Sequence, residues 1–314
     1  MSQMSDRVHL AETDPLEIEA TKRVMEILQF VDALADVLDG HRRPRSGSAY
    51  ERDKALCPEC PSIATAHHLL MAAQGTLASM RRALDVKESE TSINMSIDLH
   101  GVYELLRGAL ETSGRALWLT SPAHPRKRAN RTLLLLKEEQ DNKIKMLEAL
   151  GRPPAEIRVI QAESSARLRG YAERAGISPW PGKGAARGDI WADHPVKSTR
   201  VLQYVSQLHQ APNLSIGYYP AWCMASGISH GQQWAFHLLN DQRNLNMELM
   251  EAQMTGSFQN LHALMQSSAA LLEVAVRRHI ALCTLPTPGA VEVRALVDLT
   301  SAEPDASVSA SGAQ

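Results

Sequence analysis

The chain has 314 residues, a hydrophobic content of 44% and a formal net charge of -2. A sequence of this length and composition can bury a large core, which excludes a chain that is disordered throughout. The near-neutral charge provides no global field for nucleic acid or membranes, so any such affinity must come from local patches. Short apolar runs, a polar start without an apolar leader and few cysteines predict a cytoplasmic protein with no membrane partner.

Apolar residues recur at helical spacing in several segments along the chain, and each segment is bounded by proline, glycine or a capping residue. The helices predicted in this way span residues 15–39, 62–86, 97–119, 125–150, 154–175, 198–210, 220–239 and 258–283. The segments 41–62 and 177–195 carry glycine, proline and mixed charge, and their apolar residues show no periodic spacing. This composition predicts that they are loops that connect helices.

The sequence therefore predicts an all-α fold, a bundle of seven to eight helices over residues 14–284. Residues 1–13 predict a flexible N-terminal tail, because they are polar and precede the first cap. Residues 285–314 predict a C-terminal tail that is mostly disordered, with one short candidate strand at VEVRALVDL.

The most informative predicted helix lies within YYPAWCMASGISHGQQWAFHLL, which begins at Tyr218. Helical spacing places a mixture of aromatic and polar groups on one face of it, namely Tyr219, Trp222, Ser226, His230, Gln233 and His237. A helix with a purely structural role seldom carries such a mixture. We expect His230 to act as an acid or base and Tyr219, Trp222, Ser226 and Gln233 to bind a ligand.

A second polar stripe lies on the helix predicted for residues 97–119 and consists of His100, Arg107, Glu111 and Trp118. The stripe runs beside the apolar arc, so Arg107 and Glu111 should lie at the edge of the core. We expect Arg107 to stabilise negative charge in the same site as His230, with Glu111 orienting the guanidinium. Two alternatives stay open, an intrahelical Arg107–Glu111 ion pair and a core histidine with a satisfied ring.

A candidate zinc site precedes the second long helix, where Cys57 and Cys60 form a Cys-x2-Cys turn. His67 or His68 follows within the helix and could supply an imidazole ligand. The alternative is a pair of ordinary, half-buried cysteines.

Seven basic residues form a local patch that could contact phosphates: Arg42, Arg43, Arg45, Arg126, Lys127, Arg128 and Arg131. The alternative is a solvated basic turn.

Two stretches, HGVYELLRGALETSGRALWLTSP with RKRANR and YYPAWCMASGISHGQQW, resemble a class of uncharacterised actinobacterial helical proteins. Those proteins are similar to HEPN-like domains, the small helical bundles of prokaryotic toxins, abortive-infection systems and RNA-targeting nucleases. The resemblance implies a bundle, often a homodimer, that binds or cleaves RNA or a nucleotide in phage defence or a stress response. It implies an Arg and a His at the phosphodiester, and the spacing of the HEPN signature occurs here at Arg187 and His194.

Two other functions stay open. One is a non-catalytic binding or regulatory helical module, which suits a near-neutral surface. The other is a Mg-dependent terpene-cyclase-like enzyme, because Asn240, Asn244 and Glu248 have the spacing of three oxygen ligands for Mg²⁺ and a diphosphate. Its second group of carboxylates would be Glu138, Glu139 and Asp141.

Overall fold

The structure, a computed structural model, describes residues 7–12, 15–59, 61–88, 93–177, 196–209, 213–239 and 258–285. Within these ranges the chain folds as a bundle of ten helices, which confirms the predicted helical class. The helices are α1 (Pro15–Gly40), α2 (Ala49–Leu56), α3 (Ser62–Ala83), α4 (Leu99–Thr120), α5 (Pro125–Ala149), α6 (Pro154–Arg174), α7 (Ser198–Leu208), α8 (Tyr218–Ser229), α9 (Gln233–Leu239) and α10 (Phe258–Thr284).

Two helices exceed the predicted number. The first is α2, which lies in a segment predicted as a connection and begins after Ser48, whose hydroxyl accepts from the Glu51 N–H at 3.4 Å. Its sequence has no clear apolar period, and it is held instead by the burial of Tyr50 and Asp53. A polar short helix of this kind is invisible to a search for hydrophobic periodicity.

The second arises because the helix predicted for residues 220–239 is divided into α8 and α9. Gly231 adopts a φ of 67°, in the left-handed region, and ends α8. The N–H groups of Gly231 and Gln232 donate to the carbonyls of Ile228 and Gly227, both at 2.8 Å. The chain therefore turns between the two helices, and the predicted face does not continue across the turn.

A small antiparallel sheet joins α3 to α4. It consists of β1 (Arg7–Glu12), β2 (Leu84–Glu88) and β3 (Ile93–Asp98), in the order β1-β3-β2. The sequence predicted a flexible tail where β1 lies. It also predicted helix for the first residues of β2 and the last residues of β3. The register aligns apolar positions, such as Val8 with Ile97, and this pairing links segments that no local pattern connects.

The central helix of the bundle is α4, which packs against α3, α10, α8 and α7. Its residues Leu106, Leu110 and Leu117 are fully buried in the main core. A second, smaller core lies between α5 and α6, where Leu133 packs with Leu168. Side chains at the edge of α4 can therefore reach both α8 and α5.

A buried ion pair holds α2 against the start of α5. The side chains of Arg128 and Asp53 are 1% and 0% exposed. Arg128 donates from Nε and Nη2 to the two carboxylate oxygens, at 2.7 and 2.6 Å. Its Nη1 donates to the carbonyls of Pro122 and Ala123, at 2.7 and 2.8 Å. One guanidinium thus fixes α2, α5 and the corner that follows α4.

We expect Asp53→Asn to lower the free energy of unfolding by about 3–5 kcal/mol, because it leaves Arg128 buried without a counterion. Chemical denaturation measures the change. The control is Asp141→Asn, which removes the partner of Lys137 from a pair whose side chains are 48% and 42% exposed. It should change stability by less than about 0.5 kcal/mol, and equal effects of the two variants would contradict a structural role for the buried pair.

Gly227→Ala tests the close approach of α8 and α9. A Cβ at Gly227 would lie 2.6 Å from the Cβ of Ala235 and 2.8 Å from the Trp234 ring. We expect a loss of about 1–3 kcal/mol, because the backbone of α9 must move. A Cβ at Gly75 meets nothing within 4 Å, so Gly75→Ala should stabilise by up to about 1 kcal/mol through helix propensity. A thermal melt that ranks the two variants in the opposite order would refute this packing.

Candidate functional site

The polar stripe of α4 meets α8 at the carboxylate of Glu111. One oxygen of Glu111, Oε1, accepts from Arg107 Nε at 3.2 Å and from Trp222 Nε1 at 2.9 Å. Arg107 also donates from Nη1 to Glu104 at 3.5 Å. The Arg107 and Glu111 side chains are 28% and 24% exposed, so the pair lies at the edge of the core as expected.

Trp222 in turn stacks on Tyr219, one turn earlier on α8. The ring centroids are 6.1 Å apart, and the ring planes are inclined by 20°. Both rings are half-buried. The backbone N–H of Tyr219 donates to Ser206 Oγ on α7 at 3.1 Å, which anchors the start of α8. A hydrogen bond with Cys223 raises the pKa of the Tyr219 phenol, so this group is neutral near pH 7.

We call Arg107, Glu111, Tyr219 and Trp222 the Glu111 cluster. It joins a guanidinium to two stacked aromatic rings through one carboxylate. Arg107 uses Nε and Nη1, and its Nη2 has no partner among the described residues. The arrangement can therefore stack a flat ring and donate a hydrogen bond to an anion close by.

Ser226, His230 and Gln233 of the predicted α8 face do not join this cluster, and the side chain of His237 lies outside the described residues. His230 is exposed at the end of α8, roughly 12 Å along the helix axis from Trp222. Ser226 is half-buried, and its carbonyl accepts from the His230 N–H at 3.1 Å. Gln233 follows the turn at Gly231 and is exposed. His230 therefore keeps the register of α8, whereas Gln233 does not continue the predicted face.

Arg107 and His230 are predicted to line one site, and within the described part of the chain no direct contact joins the two side chains. There, no histidine forms a hydrogen bond or ion pair with Arg107 or Glu111. The Arg187–His194 pair of the HEPN spacing lies outside the described residues. The alternative weighed for Arg107 and Glu111, an intrahelical ion pair, is the geometry that forms, and Trp222 is added to it.

The predicted zinc site lies only partly within the described residues. Cys57 is disulfide-bonded and buried, so it offers no thiolate to a metal. His67 lies elsewhere, with its ring centroid 5.8 Å from that of His279 on α10. Cys60 lies outside the described residues. Across the described ranges, no group of three or more His, Cys, Asp or Glu side chains is placed to hold a metal ion.

The basic patch is partly structural. Arg128 is buried in the ion pair with Asp53 and cannot contact a phosphate. Arg131 lies between two aromatic rings, with its guanidinium carbon 4.7 Å from the Trp118 centroid and 4.9 Å from that of Tyr204. The other five basic residues are exposed, namely Arg42, Arg43, Arg45, Arg126 and Lys127.

A charged pair that the sequence did not single out lies one turn beyond Glu111. Arg115 donates from Nη1 and Nη2 to the two carboxylate oxygens of Glu138 on α5, at 3.0 and 2.9 Å. The side chains are 23% and 16% exposed. The signal was present, because Arg107, Glu111 and Arg115 recur at intervals of one helical turn.

The acidic residues of the cyclase hypothesis are largely engaged. Glu138 pairs with Arg115, and Asp141 accepts from Lys137 at 2.7 Å. The motif of Asn240, Asn244 and Glu248 lies outside the described residues.

The comparisons with known proteins provide no relative. No protein-family model, no curated protein and no solved structure matches this chain. Among the described helices, none combines the length and apolar character that crossing a membrane requires.

A buried histidine lies apart from the Glu111 cluster, on α10. The His279 Nε2–H donates to the His41 carbonyl at 3.2 Å, since a carbonyl oxygen can only accept. Nδ1 consequently accepts from the Tyr50 hydroxyl at 3.1 Å. The neutral ring is satisfied on both nitrogens, and burial lowers the pKa of His279 to about 4.

This pKa predicts a loss of stability in acid. An unfolded histidine titrates near pH 6.5, so the contribution of neutral His279 is complete above that value and decreases as the pH falls to about 4. The total decrease is about 3 kcal/mol by linkage. We expect His279→Gln to remove this part of the pH dependence in urea unfolding between pH 7 and pH 4, whereas His68→Gln, at an exposed site, should retain it. An unchanged pH profile in His279→Gln would contradict the assignment.

Proposed function

We propose that this chain is a helical module that binds RNA or a nucleotide at the Glu111 cluster and does not cleave it. The observation that carries the proposal is the shared oxygen of Glu111, which ties both Arg107 and the Trp222 indole to one point. This bond holds a cation and a stacked aromatic pair in a fixed relation at the edge of the core. A nucleotide presents the matching groups, a flat base and an anionic phosphate.

Stacking supplies the first part of the recognition. Aromatic side chains bind bases of any sequence, and each such contact contributes about 1–3 kcal/mol. Tyr219 and Trp222 are half-buried, so their rings keep part of their surface for a base. Trp222 loses little freedom on binding, because Glu111 already fixes the plane of its indole.

The phosphate is the second part. Arg107 points Nε and Nη1 at the carboxylates of Glu111 and Glu104, which leaves Nη2 for an external acceptor. Two carboxylates beside one guanidinium keep the local charge near neutral or negative. We therefore expect the phosphate to contribute little to the affinity and stacking to contribute most of it. The affinity should consequently depend only slightly on salt.

The position of His230 supports binding without cleavage. A general acid or base must lie within hydrogen-bond reach of the proton that it transfers. His230 is exposed at the far end of α8, while Arg107 is held at Glu111 near Trp222. The HEPN resemblance, the homodimer, and a role in phage defence or stress response stay predictions.

The test compares two tryptophans by the fluorescence anisotropy of a labelled single-stranded RNA at low salt. Trp222→Leu should weaken binding about tenfold or more, because it removes one stacking surface. Trp234→Leu is the matched control, since Trp234 is 49% exposed on α9 and lies outside the cluster. AMP should displace the RNA if the site takes a single base and phosphate.

Two results would contradict the proposal: no RNA or AMP binding by folded wild-type protein at low salt, or equal losses in the two tryptophan variants. Cleavage of the RNA, lost in both Arg107→Ala and His230→Ala, would instead support a nuclease. Melting curves of each variant separate lost binding from lost folding.

A further inference from the structure

A cleft of ≈ 290 Å³ opens between α3, α4 and α5, and none of the Glu111 cluster residues lines it. Leu69, Leu135 and Leu136 provide an apolar wall. Its volume is close to the lower end of the range for small-molecule sites, roughly 300–1,000 Å³. The cleft therefore has room for a small organic molecule with an apolar body.

Within the part of the chain that the structure describes, one arginine lines this cleft, and its guanidinium is already hydrogen-bonded. Arg115 donates from both Nη atoms to Glu138, and Nη2 also donates to the Val196 carbonyl at 3.2 Å. An anionic ligand would have to displace Glu138 from a half-buried pair, which leaves that carboxylate without its partner. Anions are thus poor ligands for this wall of the cleft.

The uncommitted charge at the cleft is the carboxylate of Glu139. It is exposed, and it forms no ion pair or hydrogen bond with any residue in the described ranges. Lys143 lies one turn further along α5, and it lines a neighbouring cleft together with Glu139, but the two side chains form no ion pair. His68 and Asn142 are exposed on the same rim and carry further polar atoms.

We propose that this cleft binds a small organic cation, a primary amine with an apolar body. The ammonium group would lie against Glu139 and donate to Asn142 and His68, while the apolar body packs on Leu69 and Leu136. The apolar wall favours burial of a hydrocarbon surface. The free carboxylate at the rim selects a positive charge, and the committed Arg115 leaves nothing to attract a negative one. This inference is independent of nucleotide binding at the Glu111 cluster.

The experiment is calorimetric titration of the full chain with phenethylamine, with two variants that differ in the position of the lost charge. Glu139→Gln should weaken amine binding about fivefold or more, since it removes the charge that faces the ammonium group. Glu148→Gln removes an exposed carboxylate from the same helix outside the cleft and should bind as the wild type does.

The ligand series tests the charge selection directly. The neutral alcohol analogue should bind more weakly than the amine, and 3-phenylpropanoate should fail to displace the bound amine. Absence of amine binding by folded wild-type protein would overturn the proposal. So would wild-type affinity in Glu139→Gln, or displacement of the amine by the carboxylate at equal concentration.

Discussion

Buried guanidinium groups stabilise the C-terminal end of α4, and this end in turn positions the neighbouring helices. The last carbonyl groups of a helix have no partner within the helix, and buried ones must find another donor. Arg278 on α10 donates to the carbonyls of Thr120 and Ser121, at 3.0 and 3.4 Å. Arg128 donates to the next two carbonyls and pairs with Asp53 on α2. Four neighbouring carbonyls thus receive donors from two arginines, which is also the sign of charge that a helix C-terminus favours.

This corner sets how α5 lies against α4, and it thereby shapes the cleft between α3, α4 and α5. Because α5 begins a few residues after the corner, the direction in which the chain leaves α4 sets the path of α5. Along that path Glu138 meets Arg115, and the wall of the cleft forms between them and α3. One turn earlier on α4, Glu111 holds Trp222 of α8. One helix therefore presents consecutive turns of a single charged stripe to two different neighbours.

Features held by partners close together in the sequence were predictable, and features held by distant partners were not. The long helices were predictable because their apolar period is local, and the Arg107–Glu111 pair because its partners are one turn apart. The contact between Trp222 and Glu111 spans 111 residues, and no local pattern encodes it. The end of α8 had a local signal in Gly231, since glycine commonly ends a helix, but the polar face on both sides of it masked that signal. The polar helix α2 depends on Asp53 reaching Arg128, 75 residues away.

In RNA binding at the Glu111 cluster, Glu111 is proposed to act on the ligand through Trp222 rather than by itself. A double-mutant cycle of RNA affinity, with Glu111→Ala and Trp222→Phe, measures this coupling directly. Trp222→Phe keeps an aromatic ring and loses the indole N–H that donates to Glu111. We expect the double variant to bind no more weakly than the weaker single variant, with a coupling energy of about 0.5–3 kcal/mol. Losses that simply add would show that the two residues act independently, and would contradict the claim.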